Sequence, residues 1–179
     1  TYWNNRIKEF EIDPTWQEHP IYQTDKYKNY RNKWEKVTKG ELITDFPLNI
    51  EVEPTYYCNL KCPFCPRFIG ENERKSRHMS ENVWKKIINE CQKNNLPSMQ
   101  MDHEAESMMN PKFFNILEDT NKAGIVDTWL HTNGMMLNEK NSRKLIKHGL
   151  KKLNISIDAF KKETYVKLRV GGKYEQVVN

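Results

Sequence analysis

Apolar and polar positions alternate in four short stretches, 48–53 (LNIEVE), 98–102 (SMQMD), 126–131 (VDTWLH) and 153–158 (LNISID). Alternation with period two predicts strands. Between them the apolar residues recur at every third or fourth position, the period of a helix packed on one face. The first such segment is 80–94, with Ser80 as N-cap and Val83, Trp84, Ile87, Ile88 and Cys91 on one face. The second starts at Asn110, takes Pro111 as its first position and closes at Gly124. The third covers 138–148 and ends at Gly149, and 161–169 begins a fourth. The strand starts at 98, 126 and 153 lie 28 and 27 residues apart. Repeating β/α units at that spacing predict an α/β fold of about four parallel units with right-handed crossovers.

Residues 1–46 have a different pattern. They carry Tyr2, Trp3, Trp16, Tyr22, Tyr27, Tyr30 and Trp34 among many charges. Tyr27, Tyr30, Trp34 and Val37 recur at helical spacing, which predicts a helix over 25–38, capped by Thr24 or Asp25 and ended by Gly40. The expected organisation is an aromatic-rich N-terminal helical extension, 1–46, laying its aromatic face on a β/α domain over 47–179.

Composition narrows the class. Aromatics make up 11% of the chain, which argues against disorder. No apolar run approaches the roughly 20 residues of a membrane span, and there is no secretory apolar core. The formal net charge of +5 is diffuse, so neither membrane nor nucleic-acid binding is expected. The four cysteines are too sparse for a disulfide framework, and three of them, Cys58, Cys62 and Cys65, fall in one loop. An odd local cluster points to a metal or iron–sulfur site in a reducing, cytoplasmic compartment. Cys91, on the apolar helix face, reads as a buried thiol.

The unusual polar residues all follow strands. The cysteines follow the first, His103-Glu104-Ala105-Glu106 the second and Thr132-Asn133-Gly134 the third, and Asp158 ends the fourth. In parallel β/α folds the C-terminal strand edge carries the active site. The loop Cys58-x₃-Cys62-x₂-Cys65 supplies three thiolates. A zinc site would need a fourth ligand such as His78 or His103. A [4Fe–4S] cube usually takes four cysteines, so three leave one iron open to a small molecule.

The cysteine spacing after the first strand of a β/α run resembles that of the radical S-adenosylmethionine (radical SAM) superfamily. SMMNPKFFNIL (107–117), HTNGMMLNE (131–139) and LNISIDAFKKETYVKLRVGGKYEQVV (153–178) resemble later motifs of the subgroup whose members often carry a C-terminal SPASM domain. The likeness runs over about 25–178 and implies a partial (β/α) radical SAM barrel. Cys58, Cys62 and Cys65 would then hold a [4Fe–4S] cluster whose open iron chelates SAM. Reductive cleavage of SAM would give a 5′-deoxyadenosyl radical that abstracts hydrogen from a substrate, either a peptide or protein or a small metabolite. An electron donor such as flavodoxin or ferredoxin is implied. The alternative is a non-catalytic metal-binding module, either a zinc loop or a degenerate family member.

The resemblance also assigns SAM-holding residues. Phe64 sits where family members often place an aromatic beside the cluster. Ser156 and Arg169 match SAM-contacting positions, Arg169 as a carboxylate partner. The family's Gly-Gly-Glu corresponds to Glu104-Ala105-Glu106, in which Glu106 keeps the acceptor for the methionyl amino group and both glycines are replaced. A Cβ at those positions disfavours positive φ. Asn133 reads as a turn residue, Met99, Met101, Met108 and Met109 as core and pocket wall, and His103 and His131 as hydrogen-bonded residues at the productive edge. The family core usually has six units, so the expectation is that further units follow residue 179.

Overall fold

The computed structural model of the chain describes residues 18–67 and 77–178. The chain divides into two units, Thr1–Leu42 and Ile43–Asn179.

In the first unit a short helix, α1 (Pro20–Gln23), leads into α2 (Asp25–Thr38). Thr24 caps α2: its hydroxyl accepts from the Tyr27 amide at 3.3 Å. Gly40, at φ +72°, follows its end. Tyr27, Tyr30 and Trp34 stack edge to face along the helix, with centroids 5.8 and 5.9 Å apart. Such pairs add to helix stability beyond the area they cover.

The second unit is built on four parallel strands, β1 (Asn49–Glu51), β2 (Ser98–Gln100), β3 (Asp127–Thr132) and β4 (Lys152–Ile155), in the order β1-β2-β3-β4. The register sets Asn49 beside Ser98 and Ser98 beside Asp127, while Trp129 pairs with Lys152. Helices α3 (Glu81–Lys93), α4 (Phe113–Lys122) and α5 (Glu139–Lys147) cross between successive strands. After β4 come α6 (Lys162–Leu168) and α7 (Tyr174–Val178). With this order each crossover joins neighbouring parallel strands, the βαβ connection that is right-handed in nearly all folds. Among the described residues no helix is long and apolar enough to cross a membrane.

The core lies between the sheet and these helices. Met99, Met101, Phe113, Leu117 and Leu130 are completely buried there, joined by Trp84, Cys91 and Leu96. Ser80 caps α3 through the Val83 amide at 3.3 Å, and Asn138 caps α5 through the Asn141 amide at 2.9 Å. Two details differ from the sequence reading. Val83 is half exposed, because the buried stripe of α3 is narrow and centres on Trp84 and Cys91. The helix expected from Pro111 starts at Phe113, because Asn110 first folds the chain back: its side-chain oxygen accepts from the Lys112 amide at 2.8 Å, and its carbonyl accepts from Phe113.

Candidate functional site

The cysteine loop leaves β1 and is stitched down on both sides. Thr55 bridges to His78, Tyr56 N–H donates to the Arg77 carbonyl at 2.8 Å, and the Glu106 amide donates to the Tyr57 carbonyl at 3.0 Å. Beneath it, the Asn110 side chain donates to the Pro54 carbonyl at 2.7 Å. Further along, the Lys61 amide donates to the Val170 carbonyl at 2.8 Å, which ties the loop to the segment after α6. A backbone so constrained presents its side chains with little freedom.

Cys58, Cys62 and Cys65 all line one cavity of about 430 Å³, together with Phe64, Glu106, Thr132, Asn133, Ser156 and Arg169. These residues come from the C-terminal ends of all four strands and from α6. Cys62 is buried; burial pushes the Cys58 thiol above its ordinary range. Two sulfurs have a donor nearby: Asn133 Nδ2 lies 3.9 Å from Cys58 Sγ, and Arg169 Nη1 lies 3.7 Å from Cys62 Sγ. Among the described residues no three His, Cys, Asp or Glu side chains are gathered tightly enough to hold a single metal ion.

Glu106 is 1% exposed. One carboxylate oxygen accepts from the Thr132 hydroxyl and the other from the Asn133 amide, both at 2.9 Å. Burial raises its pKa, and these hydrogen bonds only partly oppose that. Its carboxylate oxygens have donors, but no cation is paired with it among the described residues. Thr132 and Asn133 are themselves held by the turn they open. Asn133 Oδ1 accepts from the Met135 amide at 2.9 Å, and Gly134 adopts φ +80°. The side chain of Asn133 thus serves the turn and the cysteine loop together.

The replaced glycines cause no backbone conflict. The described non-glycine residues with positive φ are Asn95 and Asp158, so Glu104 and Ala105 keep ordinary geometry. Glu104 turns aside: its amide donates to Glu53 at 2.8 Å, and its carboxylate accepts from the Tyr56 hydroxyl at 3.2 Å. Only Glu106 of this triplet is sequestered beside Thr132 and Asn133.

Two pairings were not visible in the sequence. Asp102, 3% exposed, accepts from the His131 amide at 2.8 Å and lies 3.1 Å from His131 Nδ1. Asp158, at φ +57°, forms an ion pair with Arg169. Polar residues at neighbouring strand ends were the available signal for the first. The second joins a strand tip to a helix end, and no local pattern encodes it.

The family model for the radical SAM superfamily matches residues 52–179. The chain belongs to the radical SAM superfamily. Members of this superfamily use a [4Fe–4S] cluster and SAM. A relative named probable GTP 3′,8-cyclase, from Methanococcus maripaludis strain C5, is 33% identical over 138 residues, covering 77% of this chain and 44% of that protein. The GTP 3′,8-cyclase of Clostridium acetobutylicum is 25% identical over 132 residues, covering 73% of this chain and 41% of that protein. The chain thus spans less than half the length of the curated relatives it matches. Among solved structures, Streptococcus suis SuiB bound to S-adenosylmethionine superposes with a TM-score of 0.61 at 23% identity, over 84% of this chain and 34% of that one. BtrN in complex with AdoMet and 2-DOIA gives 0.58 at 19%, over 63% and 46%. The radical SAM fold of this chain is therefore a partial barrel.

The donor set suits the family's cofactor. Three soft thiols face one cavity, two of them with N–H donors directed at sulfur, and the cube offers each thiolate a separate iron. Arg169, whose Nη1 reaches Cys62, has its Nε buried without a hydrogen-bond partner among the described residues. A carboxylate-bearing ligand would satisfy such a group.

Proposed function

We propose that this chain forms the cluster- and SAM-binding part of a radical SAM enzyme, with Cys58, Cys62 and Cys65 as cluster ligands. The observation that carries the reading is that three thiols, a sequestered carboxylate with no cation paired to it among the described residues, and an arginine line one cavity at the C-terminal strand edge. When bound, the cluster supplies the electron that cleaves SAM and so generates the 5′-deoxyadenosyl radical. The chain's own residues bind and orient. Glu106 receives the methionyl ammonium, which provides the counter-charge its burial lacks. Arg169 offers Nε to the methionyl carboxylate, Ser156 contacts the nucleoside, and Phe64 covers the cluster from solvent. The preset hydrogen bonds of Glu106 to Thr132 and Asn133 mean that the acceptor need not reorganise as ligand enters.

GTP is the first substrate to assay, because the curated relatives are named for it. The cavity itself favours a different charge. Asp102, Glu104 and Glu106 line it, and Arg169 is the one Lys or Arg among its described lining residues. That balance suits an uncharged or cationic substrate, a peptide or small metabolite, better than a triphosphate. A flavodoxin- or ferredoxin-type protein is the proposed electron donor.

Anaerobic reconstitution with iron and sulfide, followed by dithionite and SAM, tests the reading. The chain should become brown and release 5′-deoxyadenosine. A colourless chain that instead binds one zinc would replace this reading with the metal-binding module.

A further inference from the structure

Arg169 connects the tip of β4 to the cysteine loop through several contacts. One nitrogen of its guanidinium, Nη2, is paired with Asp158, and the other, Nη1, donates to Cys62 Sγ at 3.7 Å. The guanidinium carbon lies over the Phe64 ring, 5.4 Å from the centroid. The side chain is 15% exposed, so little water screens it. Its backbone is fastened as well: the Lys61 amide donates to Val170, and the Gly172 amide donates to the Arg169 carbonyl at 2.8 Å. Asp158 holds its partner from a left-handed conformation, φ +57°, which non-glycine residues seldom adopt. Strain of this kind persists where surrounding structure imposes it, and it concentrates at functional sites.

We propose that Arg169 sets the reduction potential of the cluster, in addition to any contact it makes with SAM. The inference rests on the cluster assignment above. A cluster gains negative charge when it takes up an electron, and that charge spreads onto the coordinating sulfurs. A guanidinium N–H donor beside one sulfur, its charge partly offset by Asp158, stabilises the reduced state more than the oxidised one, so it raises the potential. Asp158 and Phe64 hold the planar fork in one direction, so the donor points at Cys62 before any electron arrives. A lysine in the same place would keep the charge without the fork or the same stacking. Arg169 is in this sense a positioning residue for the electron-transfer step, acting through Cys62.

The test is an anaerobic redox titration of the full reconstituted chain with dithionite, followed by electron paramagnetic resonance and carried out without SAM. Wild type, Arg169→Gln and Arg169→Lys are compared at equal iron content. The midpoint should shift to more negative potential in Arg169→Gln, with Arg169→Lys falling between. An unchanged midpoint in Arg169→Gln overturns the proposal, even if that variant binds SAM more weakly, because Arg169 would then be a ligand contact only. If Arg169→Gln fails to hold iron, Arg169→Lys decides: a more negative midpoint supports the proposal and a wild-type midpoint overturns it. A wild-type chain that assembles no cluster would defeat the site assignment itself, a result distinct from either of these.

Discussion

At the residue scale the candidate site depends on a few buried acidic groups. Glu106 is the clearest. A charge-assisted bond from a bound ammonium contributes about 1.5–3 kcal/mol. At about 1.4 kcal/mol per decade, Glu106→Gln should weaken SAM binding by about tenfold or more, measured by calorimetric titration of reconstituted protein. Glu104→Gly should leave that affinity intact, since Glu104 is directed at Tyr56. The opposite pattern would move the ammonium site to Glu104. Asp102 gives a pH test. Burial raises its pKa above the ordinary 3.8, and the bonds from His131 only partly offset this. A raised carboxylate contributes stability below its unfolded value and loses it as pH rises through its folded value. Asp102→Asn removes that loss and keeps an acceptor for the His131 amide. The melting temperature of the variant relative to wild type should therefore rise between acid and neutral pH, and a flat difference would contradict the burial argument. The cysteines were legible in the sequence because their spacing is local. Glu106 was legible through its four-residue distance from Asn110. The Asp158–Arg169 pair was not, because its geometry depends on a positive φ that Asp does not announce.

At the element scale the β/α rhythm was readable because each helix has a one-sided apolar stripe and a cap. The strands are shorter than their alternation suggests, yet ladder bonds continue past their ends. Val52 N–H donates to Gln100, Met101 to Trp129 and Ser156 to Thr132, so the residues at 52, 101 and 156 stay in register beyond the strand limits. Helix α7, five residues long, gives periodicity too little length to act on. The segment joining α6 to α7 carries its own prediction. A Cβ on Gly172 would lie 2.5 Å from the Tyr165 hydroxyl and 2.9 Å from the Arg169 carbonyl. Gly172→Ala should destabilise by about 1–3 kcal/mol, the range of overpacking, and should lower iron retention through the tie from Val170 to Lys61. The Tyr165 hydroxyl is buried without a hydrogen-bond partner among the described residues, so Tyr165→Phe costs little and should partly rescue the double variant. Equilibrium denaturation of the single and double variants checks this. No rescue would mean that the Arg169 carbonyl or the ring, not the hydroxyl, is the obstacle.

At the scale of the whole molecule, four strand ends and one helix end deliver their polar residues to a single cavity, while Cys91, on α3, is buried in the core and is not among the residues lining that cavity. That separation predicts that Cys91→Ala keeps full iron content, whereas Cys58→Ala, Cys62→Ala and Cys65→Ala each lose it. Substrate choice is less legible than cofactor binding, because the chain spans less than half the length of its curated relatives and its cavity carries a charge balance unlike that expected for a triphosphate. The most direct measurement is the electron paramagnetic resonance spectrum of the reduced, reconstituted chain before and after SAM is added. The account predicts a [4Fe–4S] signal whose line shape changes with SAM and which is absent when Cys62 is replaced by Ala. A reduced chain without that signal, or one whose signal ignores SAM at saturating concentration, would contradict it.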